Sequence, residues 1–219
     1  MDRGAVVVKF AMHRHPSGGV RVYAMEVTMR NHKPIHCCSF AALALFTSLA
    51  IAQPKHEPDV PYVPTTQEAV KAMLKLADVK PSDIVYDLGC GDGRIVIAAA
   101  KEYGAHGVGI DINPERIAEA KENANKAGVE KLVHFEENDL FDADIHEATV
   151  VTLFLLNSVN EKLRPKLRKD LKPGTRVVSN TFGMGDWKPD KELNVGDPVE
   201  GFSLSRKLFL WTIPQRNDK

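Results

Sequence analysis

The fold is decided by one short stretch of the sequence, Asp87-Leu88-Gly89-Cys90-Gly91-Asp92-Gly93-Arg94. It follows a short apolar run, 84–88, and precedes apolar residues at helical spacing, so it predicts a strand, a tight turn and a helix. Glycines let the backbone approach a ligand closely, and the first amides of a helix are unpaired donors. The stretch therefore predicts a nucleotide-binding turn near the start of an α/β domain.

Strands and helices alternate along the chain around this turn. Strands are predicted at 84–88, 106–112, 132–136, 149–156 and 175–180, and helices at 93–103, 114–127 and 159–171, after a first helix capped by Thr65 or Thr66. This order predicts a parallel sheet that is covered by helices on both faces. The segment from Trp187 to Pro198 is polar and rich in turn residues, and the run from Leu208 to Ile213 predicts an edge or antiparallel strand.

Three aspartates follow three successive strands of this sheet. Asp87 lies two residues before the first glycine, Asp111 lies 20 residues after Gly91, and Asp139 comes just past the third strand. A carboxylate at Asp111 can accept both hydroxyls of an adenosine ribose, and Asp139 can accept the adenine amino group. Asp87 would repel a pyrophosphate but suits an ammonium group beside a sulfonium. The predicted cofactor is therefore S-adenosylmethionine, rather than a dinucleotide.

At these residues the sequence resembles the class I S-adenosylmethionine methyltransferases. It looks most like the lysine methyltransferases of the ATP synthase c subunit and the adenine nucleotide translocase, together with their bacterial relatives. The resemblance runs from about Pro61 to Trp211, through Pro61-Tyr62-Val63-Pro64, the glycine turn, Ser158-Val159 and the stretch that ends at Pro189. Two departures are Cys90, where Ser is common, and Asp111, where Glu is common.

The resemblance implies a Rossmann-like, seven-stranded class I methyltransferase fold in a single domain. It also implies methylation of a lysine side chain of a protein. The cofactor-binding residues that it implies are Asp87, Gly89, Gly91, Asp111, Asp139 and Leu140.

The acceptor amine must lose a proton before it can attack a methyl group. A lysine with a reference pKa of about 10.4 is neutral in roughly one molecule in a thousand near pH 7.5, and an apolar pocket reduces this cost. Aromatic walls and a polar acceptor are therefore expected near the end of the fourth strand. The substrate-pocket candidates are Tyr62, Asn157, Ser158 and Trp187, with packing or capping as the alternative for each. No catalytic residue is identified, and no metal site is predicted, because the histidines lack metal-ligand spacing.

Composition limits the acceptors and the alternative functions. The chain has 219 residues with 29 basic and 29 acidic side chains, and this balance does not favour a nucleic-acid partner. The expected partner is a protein substrate, with membrane proteins among the candidates, or a small-molecule acceptor. The alternative functions are a small-molecule methyltransferase, an NAD-dependent oxidoreductase and a non-catalytic nucleotide-binding module.

The N-terminal region differs from the rest in charge and pattern. Residues 1–52 hold six basic and two acidic side chains, a net charge of +4, against −4 for residues 53–219. From Met29 a basic start leads into a 16-residue apolar run, 37–52, with small residues at Ala50 and Ala52. This pattern predicts a signal peptide that is cleaved after Ala52, with an uncleaved membrane anchor as the alternative.

The predicted domains are a leader over 1–52, centred on 29–52, a connecting segment with the first helix over 53–80, and the methyltransferase domain over 81–214. Residues before Met25 or Met29 are interpreted as an upstream extension of the true start. The leader predicts a periplasmic or membrane-anchored protein, in conflict with the cytosolic supply of S-adenosylmethionine.

Overall fold

The computed structural model describes residues 8–11, 24–27, 62–196 and 206–215. The chain forms two compact units, Met1–Ala50 and Ile51–Lys219. In the first unit, strands β1 (Val8–Ala11) and β2 (Ala24–Val27) pair antiparallel. The predicted leader segment, 29–52, lies outside the described residues. Within the described residues, no helix has the length and apolar character that crossing a bilayer requires.

The second unit is built on a seven-stranded sheet. Its strands are β3 (Ile84–Leu88), β4 (His106–Asp111), β5 (Val133–Glu137), β6 (Val150–Leu153), β7 (Arg176–Asn180), β8 (Lys191–Val195) and β9 (Arg206–Thr212). Their order across the sheet is β5-β4-β3-β6-β7-β9-β8. Strands β3 to β7 are parallel, and β9 runs antiparallel to β7 and to β8. This arrangement confirms the predicted Rossmann-like class I methyltransferase fold.

In the part of the chain that the structure describes, four helices cover the two faces of the sheet: α1 (Gln67–Leu76), α2 (Arg94–Tyr103), α3 (Pro114–Ala127) and α4 (Asn157–Asp170). The apolar sides of α1, α2 and α3 pack on one face, in a core with Val85, Val150 and Val178. Helix α4 packs on the opposite face, where its leucines join Leu88 and Leu153. The predicted cover on both faces is therefore confirmed.

The helix boundaries follow local capping chemistry. Thr66 caps α1, since its hydroxyl accepts the Ala69 amide at 3.4 Å. The Asn113 side chain caps α3, and proline occupies the first turn of that helix. Helices α2 and α3 end at Gly104 and Gly128, both in the left-handed conformation.

Strand order reverses between β3 and β6. From β3 the chain builds β4 and β5 on one side, and it then returns to build β6 and β7 on the other. In open α/β sheets the ligand crevice lies outside the carboxyl ends of the strands at such a reversal. The fold therefore places its crevice beside the ends of β3 and β6.

Two sequence predictions differ from the structure, at β8 and at the start of α4. The segment predicted as turns contains edge strand β8, whose residues 191–194 are all exposed, so it shows no buried alternation. Strand β9 runs antiparallel to β7 and β8, which confirms one of its two predicted placements, and it lies second from the edge of the sheet. Helix α4 begins at Asn157, two residues before its predicted start, because β6 ends at Leu153 and Leu156 adopts an extended cap conformation.

Candidate active site

The glycine turn is tied to the end of β4 by backbone hydrogen bonds. The amides of Gly89 and Cys90 both donate to the Ile110 carbonyl, at 2.8 and 2.9 Å. The Gly91 amide donates to Oδ2 of Asp111 at 2.8 Å. Gly91 has φ +52°, and a Cβ there would lie 2.3 Å from a ring carbon of Tyr62. The positive φ favours glycine at position 91, and a side chain there would displace the Tyr62 ring.

Asp87 is a buried carboxylate with one hydrogen-bond donor among the described residues. It is 3% exposed, and its Oδ1 accepts the Thr152 hydroxyl at 2.7 Å. This bond joins β3 to β6 at the reversal of strand order. Burial raises the pKa of Asp87 to about 7 against the hydrogen bond from Thr152, and the charges of Asp111 and Asp92 raise it further. An ammonium group placed beside Asp87 would offset this cost.

Asp111 and Asp139 stand at the ends of the two neighbouring strands, and both are partly exposed. Oδ1 of Asp111 accepts the Asn113 amide at 2.9 Å, and Oδ1 of Asp139 accepts the Phe141 amide at 2.8 Å. The Asn138 amide donates to the Asp111 carbonyl and links the two strand ends. The three predicted aspartates therefore follow adjacent strands at one edge of the sheet, and partly buried Leu140 packs on the core beside them.

Tyr62 lies over the glycine turn, and Thr65, three residues later, is tied to the start of α2 by Arg94. The Arg94 guanidinium pairs with Asp92 and donates from Nη1 to the Thr65 carbonyl at 2.7 Å. Arg116 stands 4.9 Å above the Tyr62 ring. Burial raises the pKa of the Tyr62 phenol, although 48% of the residue remains exposed. Tyr62 thus forms part of the rim of the crevice.

The other three substrate-pocket candidates are placed differently. Asn157 and Ser158 are exposed in the first turn of α4, which follows the carboxyl end of β6. Trp187 packs on Trp211 with ring centroids 5.9 Å apart, and its carbonyl accepts the Trp211 indole N–H. Trp211 pairs with Val177 of β7, so partly buried Trp187 packs against the core beside that strand, and its role in the pocket stays a prediction.

Cys90 and the histidines add no further chemistry to the crevice. Burial, together with the charges of Asp87 and Asp111, raises the pKa of the Cys90 thiol, so the thiol stays protonated. Among the described residues, no group of three or more His, Cys, Asp or Glu side chains is arranged to hold a metal ion.

These residues fit an aminoacyl-bearing adenosine cofactor. A buried, under-compensated carboxylate at Asp87 suits its ammonium, and the turn at Gly89 and Gly91 admits close backbone approach. The carboxylates of Asp111 and Asp139 suit polar groups of the nucleoside.

Comparison with known proteins agrees with this geometry. The family described as ANTKMT methyltransferase domain matches residues 87–191. A protein-lysine N-methyltransferase of Saccharolobus islandicus (strain REY15A) is 54% identical over 157 residues, covering 71% of this chain and 95% of the relative. The lysine N-methyltransferase of the ATP synthase c subunit from Mus musculus is 33% identical over 168 residues, covering 74% of this chain and 67% of the relative. The chain belongs to the ANTKMT family of methyltransferases.

A solved structure supports the same assignment for this methyltransferase. An RNA methyltransferase of Salinibacter ruber, in complex with S-adenosyl-L-homocysteine, is 53% identical and superposes with a TM-score of 0.65. The match covers 70% of this chain and 95% of that one. The enzyme is S-adenosylmethionine-dependent, as the sequence predicted. This assignment favours methyl transfer over the nicotinamide and non-catalytic alternatives.

Several residues of this methyltransferase site were not found from the sequence. Thr152, the partner of Asp87, lies 65 residues further along the chain, and only the register of β3 on β6 brings it there. Phe154, Asn180 and Phe182 also lie at the carboxyl ends of β6 and β7. Among these three residues, Phe182 lies in the stretch ending at Pro189 that resembles the lysine methyltransferases, and this resemblance was the sequence feature that pointed to the ends of these strands.

Proposed function

We propose that the enzyme transfers the methyl group of S-adenosylmethionine to the Nζ atom of lysine side chains of a protein. The observation that carries the proposal is the 54% identity to a protein-lysine N-methyltransferase across 95% of that relative. The lysine methyltransferase of the mouse supports the same acceptor at lower identity.

The rim of the crevice supports a macromolecular acceptor over a small molecule. The connections 138–149 and 181–190, on the carboxyl side of β5 and β7, contain no helix. Tyr62, Asn157 and Ser158 are exposed. A surface lysine on a folded protein can reach such a rim, whereas small-molecule sites usually enclose most of their ligand.

We assign the cofactor to the residues at the carboxyl ends of β3, β4 and β5. Asp87 would bind the ammonium of the cofactor, and the turn at Gly89 and Gly91 would receive its aminoacyl part. Asp111 would accept the ribose hydroxyls, Asp139 would accept the adenine amino group, and Leu140 would pack against the base. When bound, the cofactor supplies a methyl group on a sulfonium, which a neutral amine displaces in line.

The test of this assignment is calorimetric titration of the enzyme with S-adenosylmethionine. Asp87→Asn removes a charge-assisted contact to the ammonium, so its affinity is expected to fall ~30- to 100-fold. Asp142→Asn is the matched control, since Asp142 is an exposed aspartate three residues beyond Asp139. Equal affinities for all three proteins would contradict the role of Asp87.

The test of the acceptor is transfer of labelled methyl groups to four probes: poly-L-lysine, poly-L-arginine, total RNA and butylamine. Labelling of poly-L-lysine, with methyl-lysine found by mass spectrometry, is the expected result. The RNA probe is included because the solved relative from Salinibacter ruber is named an RNA methyltransferase. Labelling of RNA or butylamine without poly-L-lysine would replace the lysine acceptor by that class.

We propose further that residues 29–52 direct the enzyme to the periplasm or anchor it at a membrane, where a membrane protein would be its substrate. Expression of the full chain, followed by fractionation and N-terminal sequencing, tests this. A product that begins at Gln53 supports a cleaved signal peptide, and a full-length product in the membrane fraction supports an anchor. A full-length product in the soluble fraction contradicts both, and blocked cleavage in Ala52→Arg is the control for the processing site.

A further inference from the structure

The connection after β7 has an unusual backbone at the carboxyl edge of the sheet. The Phe182 amide donates to the Asn180 carbonyl at 2.8 Å, so Thr181 is the middle of a three-residue turn with φ +70°. A β-branched residue is rarely found at positive φ, and such strain persists only where the surroundings impose it. Two contacts impose it here: the Thr181 amide donates to the Lys207 carbonyl, and Asn160 donates to the Phe182 carbonyl at 3.2 Å.

This turn fixes a buried amide that has one unpaired end. Asn180 is fully buried, and its Oδ1 accepts the Thr181 hydroxyl at 3.0 Å, whereas its Nδ2 has no hydrogen-bond partner among the described residues. A threonine hydroxyl can donate or accept, so the amide also fits when it is turned with its oxygen unpaired. A buried amide atom without a hydrogen-bond partner costs folding free energy. Such an atom points to a ligand that supplies the missing hydrogen bond.

Asn180 lies on the same face of the sheet as Asp87. Asp87 contacts Thr152 on that face, and Thr152 is the register partner of Val178. Side chains alternate along a strand, so Asn180, two residues beyond Val178, shares the face. It is two strands from Asp87, about 10 Å across the sheet, and it lies further toward the carboxyl edge.

Two aromatic rings follow the same strand ends as this amide. Phe154 follows β6 and Phe182 follows the turn, and their rings stack with centroids 6.2 Å apart and an interplanar angle of 26°. The Arg206 guanidinium lies 6.0 Å from the Phe154 ring centroid and holds its outer face. Apolar rings of this kind contact the alkyl chain of a lysine and disfavour its charged form.

We propose that Asn180, Phe154 and Phe182 form the subsite that receives the acceptor amine. This proposal rests on the proposed lysine acceptor. Asn180 accepts an N–H of the amine through its amide oxygen and aims the nitrogen lone pair at the methyl group. The new N–C bond forms with that lone pair as the C–S bond breaks, and its electron pair remains on the sulfur of S-adenosylhomocysteine. The positive charge passes to nitrogen, where the amide oxygen stabilises it, and one proton then leaves to water.

The test measures kcat and KM with poly-L-lysine, and S-adenosylmethionine affinity by calorimetry, in Asn180→Leu, Asn180→Asp and Asn194→Leu. Loss of one hydrogen bond to a developing charge should lower kcat of Asn180→Leu ~10- to 100-fold, with cofactor affinity within about twofold of wild type. Asn180→Asp keeps an oxygen acceptor and should retain most of the activity. Asn194, exposed on edge strand β8, is the control for the same chemical change.

The outcomes separate this subsite from the proposed function. If the wild-type enzyme does not label poly-L-lysine, the proposed lysine acceptor is wrong, and the proposed subsite is wrong with it. Wild-type labelling with an unchanged kcat in Asn180→Leu overturns the subsite alone. A parallel loss of cofactor affinity and kcat in Asn180→Leu also overturns it, because a general structural role then explains the effect.

Discussion

Two buried aspartates at opposite ends of β3 have opposite electrostatic surroundings. Asp83, just before the strand, is 5% exposed and accepts the Thr149 hydroxyl and the Lys80 amide, each at 2.7 Å. The Arg176 guanidinium pairs with it and also donates to the carbonyls of Ala77 and Asp78. Burial alone raises the pKa of Asp83, but the hydrogen bonds from Thr149, Lys80 and Arg176 lower it below its usual value.

Asp87, four residues later, is 3% exposed, and there burial raises the pKa to about 7 because Thr152 donates the one hydrogen bond among the described residues that opposes it. At the amino end of the sheet, hydrogen bonds and an ion pair within the fold therefore offset the cost of burying the Asp83 charge. At the carboxyl end, the cost of burying the Asp87 charge is not offset within the fold, and the proposed ligand would offset it. The strained Thr181 and the incomplete amide of Asn180 lie at the same carboxyl end. The difference teaches that this fold gives up stability at one edge, where the proposed cofactor would recover it.

The largest expected effect is on the free energy of unfolding, at Asp83 before the amino end of β3. Asp83→Asn leaves the Arg176 charge without its carboxylate, so the free energy of unfolding should fall by about 3 kcal/mol. Asp78→Asn is the control, because its pair with Lys80 is exposed and worth under about 1 kcal/mol. Denaturant unfolding of both variants measures the difference. Equal stabilities would show that the ion pair at Asp83 adds nothing to the fold.

The second prediction concerns the pH dependence of stability that arises from Asp87, near the carboxyl end of β3. The pKa of Asp87 is about 7 in the folded protein and about 3.9 in the unfolded chain, so the folded state holds one extra proton between these values. The contribution of Asp87 to the free energy of unfolding is therefore full below pH 4 and is lost as pH rises to about 7. For Asp83 the sign is reversed, and its contribution is lost as pH falls through its lowered pKa.

Asp87→Asn should consequently be more stable than the cofactor-free wild type at pH 8, because no carboxylate has to ionise in a buried site. The two proteins should converge near pH 4. Unfolding titrations at pH 4, 6 and 8 without cofactor give this comparison. A variant that is less stable than wild type at pH 8 would mean that Asp87 is compensated within the fold after all.

The sequence predicted the local parts of the carboxyl edge and missed the non-local ones. The glycine turn and Asp111 were found because a strand, a turn and a helix are consecutive in sequence and the next strand end lies at a regular distance. Thr152 and Asn180 were missed, since their places depend on register across β6 and β7. The role of Trp187 in the pocket stays a prediction, and no local sequence pattern showed its packing on Trp211.

Fold prediction succeeded where burial leaves a pattern. Strands β3 to β7 are recognised from their apolar runs and from the helices between most of them, and β9 from its apolar stretch. Strand β8 has no such signal, because residues 191–194 face solvent and their pairing with β9 depends on backbone hydrogen bonds. Its charged and polar side chains suit an edge strand that resists pairing with other chains.

The smallest expected effect is at the rim of the carboxyl end. Tyr62→Ala removes a half-exposed ring from Gly91, so the affinity for S-adenosylmethionine should fall about fivefold, or about 1 kcal/mol, while the free energy of unfolding changes little. Val63→Ala is the control, since Val63 is 54% exposed and adjacent in sequence. Calorimetry and denaturant unfolding distinguish the two quantities. If Tyr62→Ala lowers the free energy of unfolding without lowering cofactor affinity, Tyr62 stabilises the fold and is not part of the ligand site.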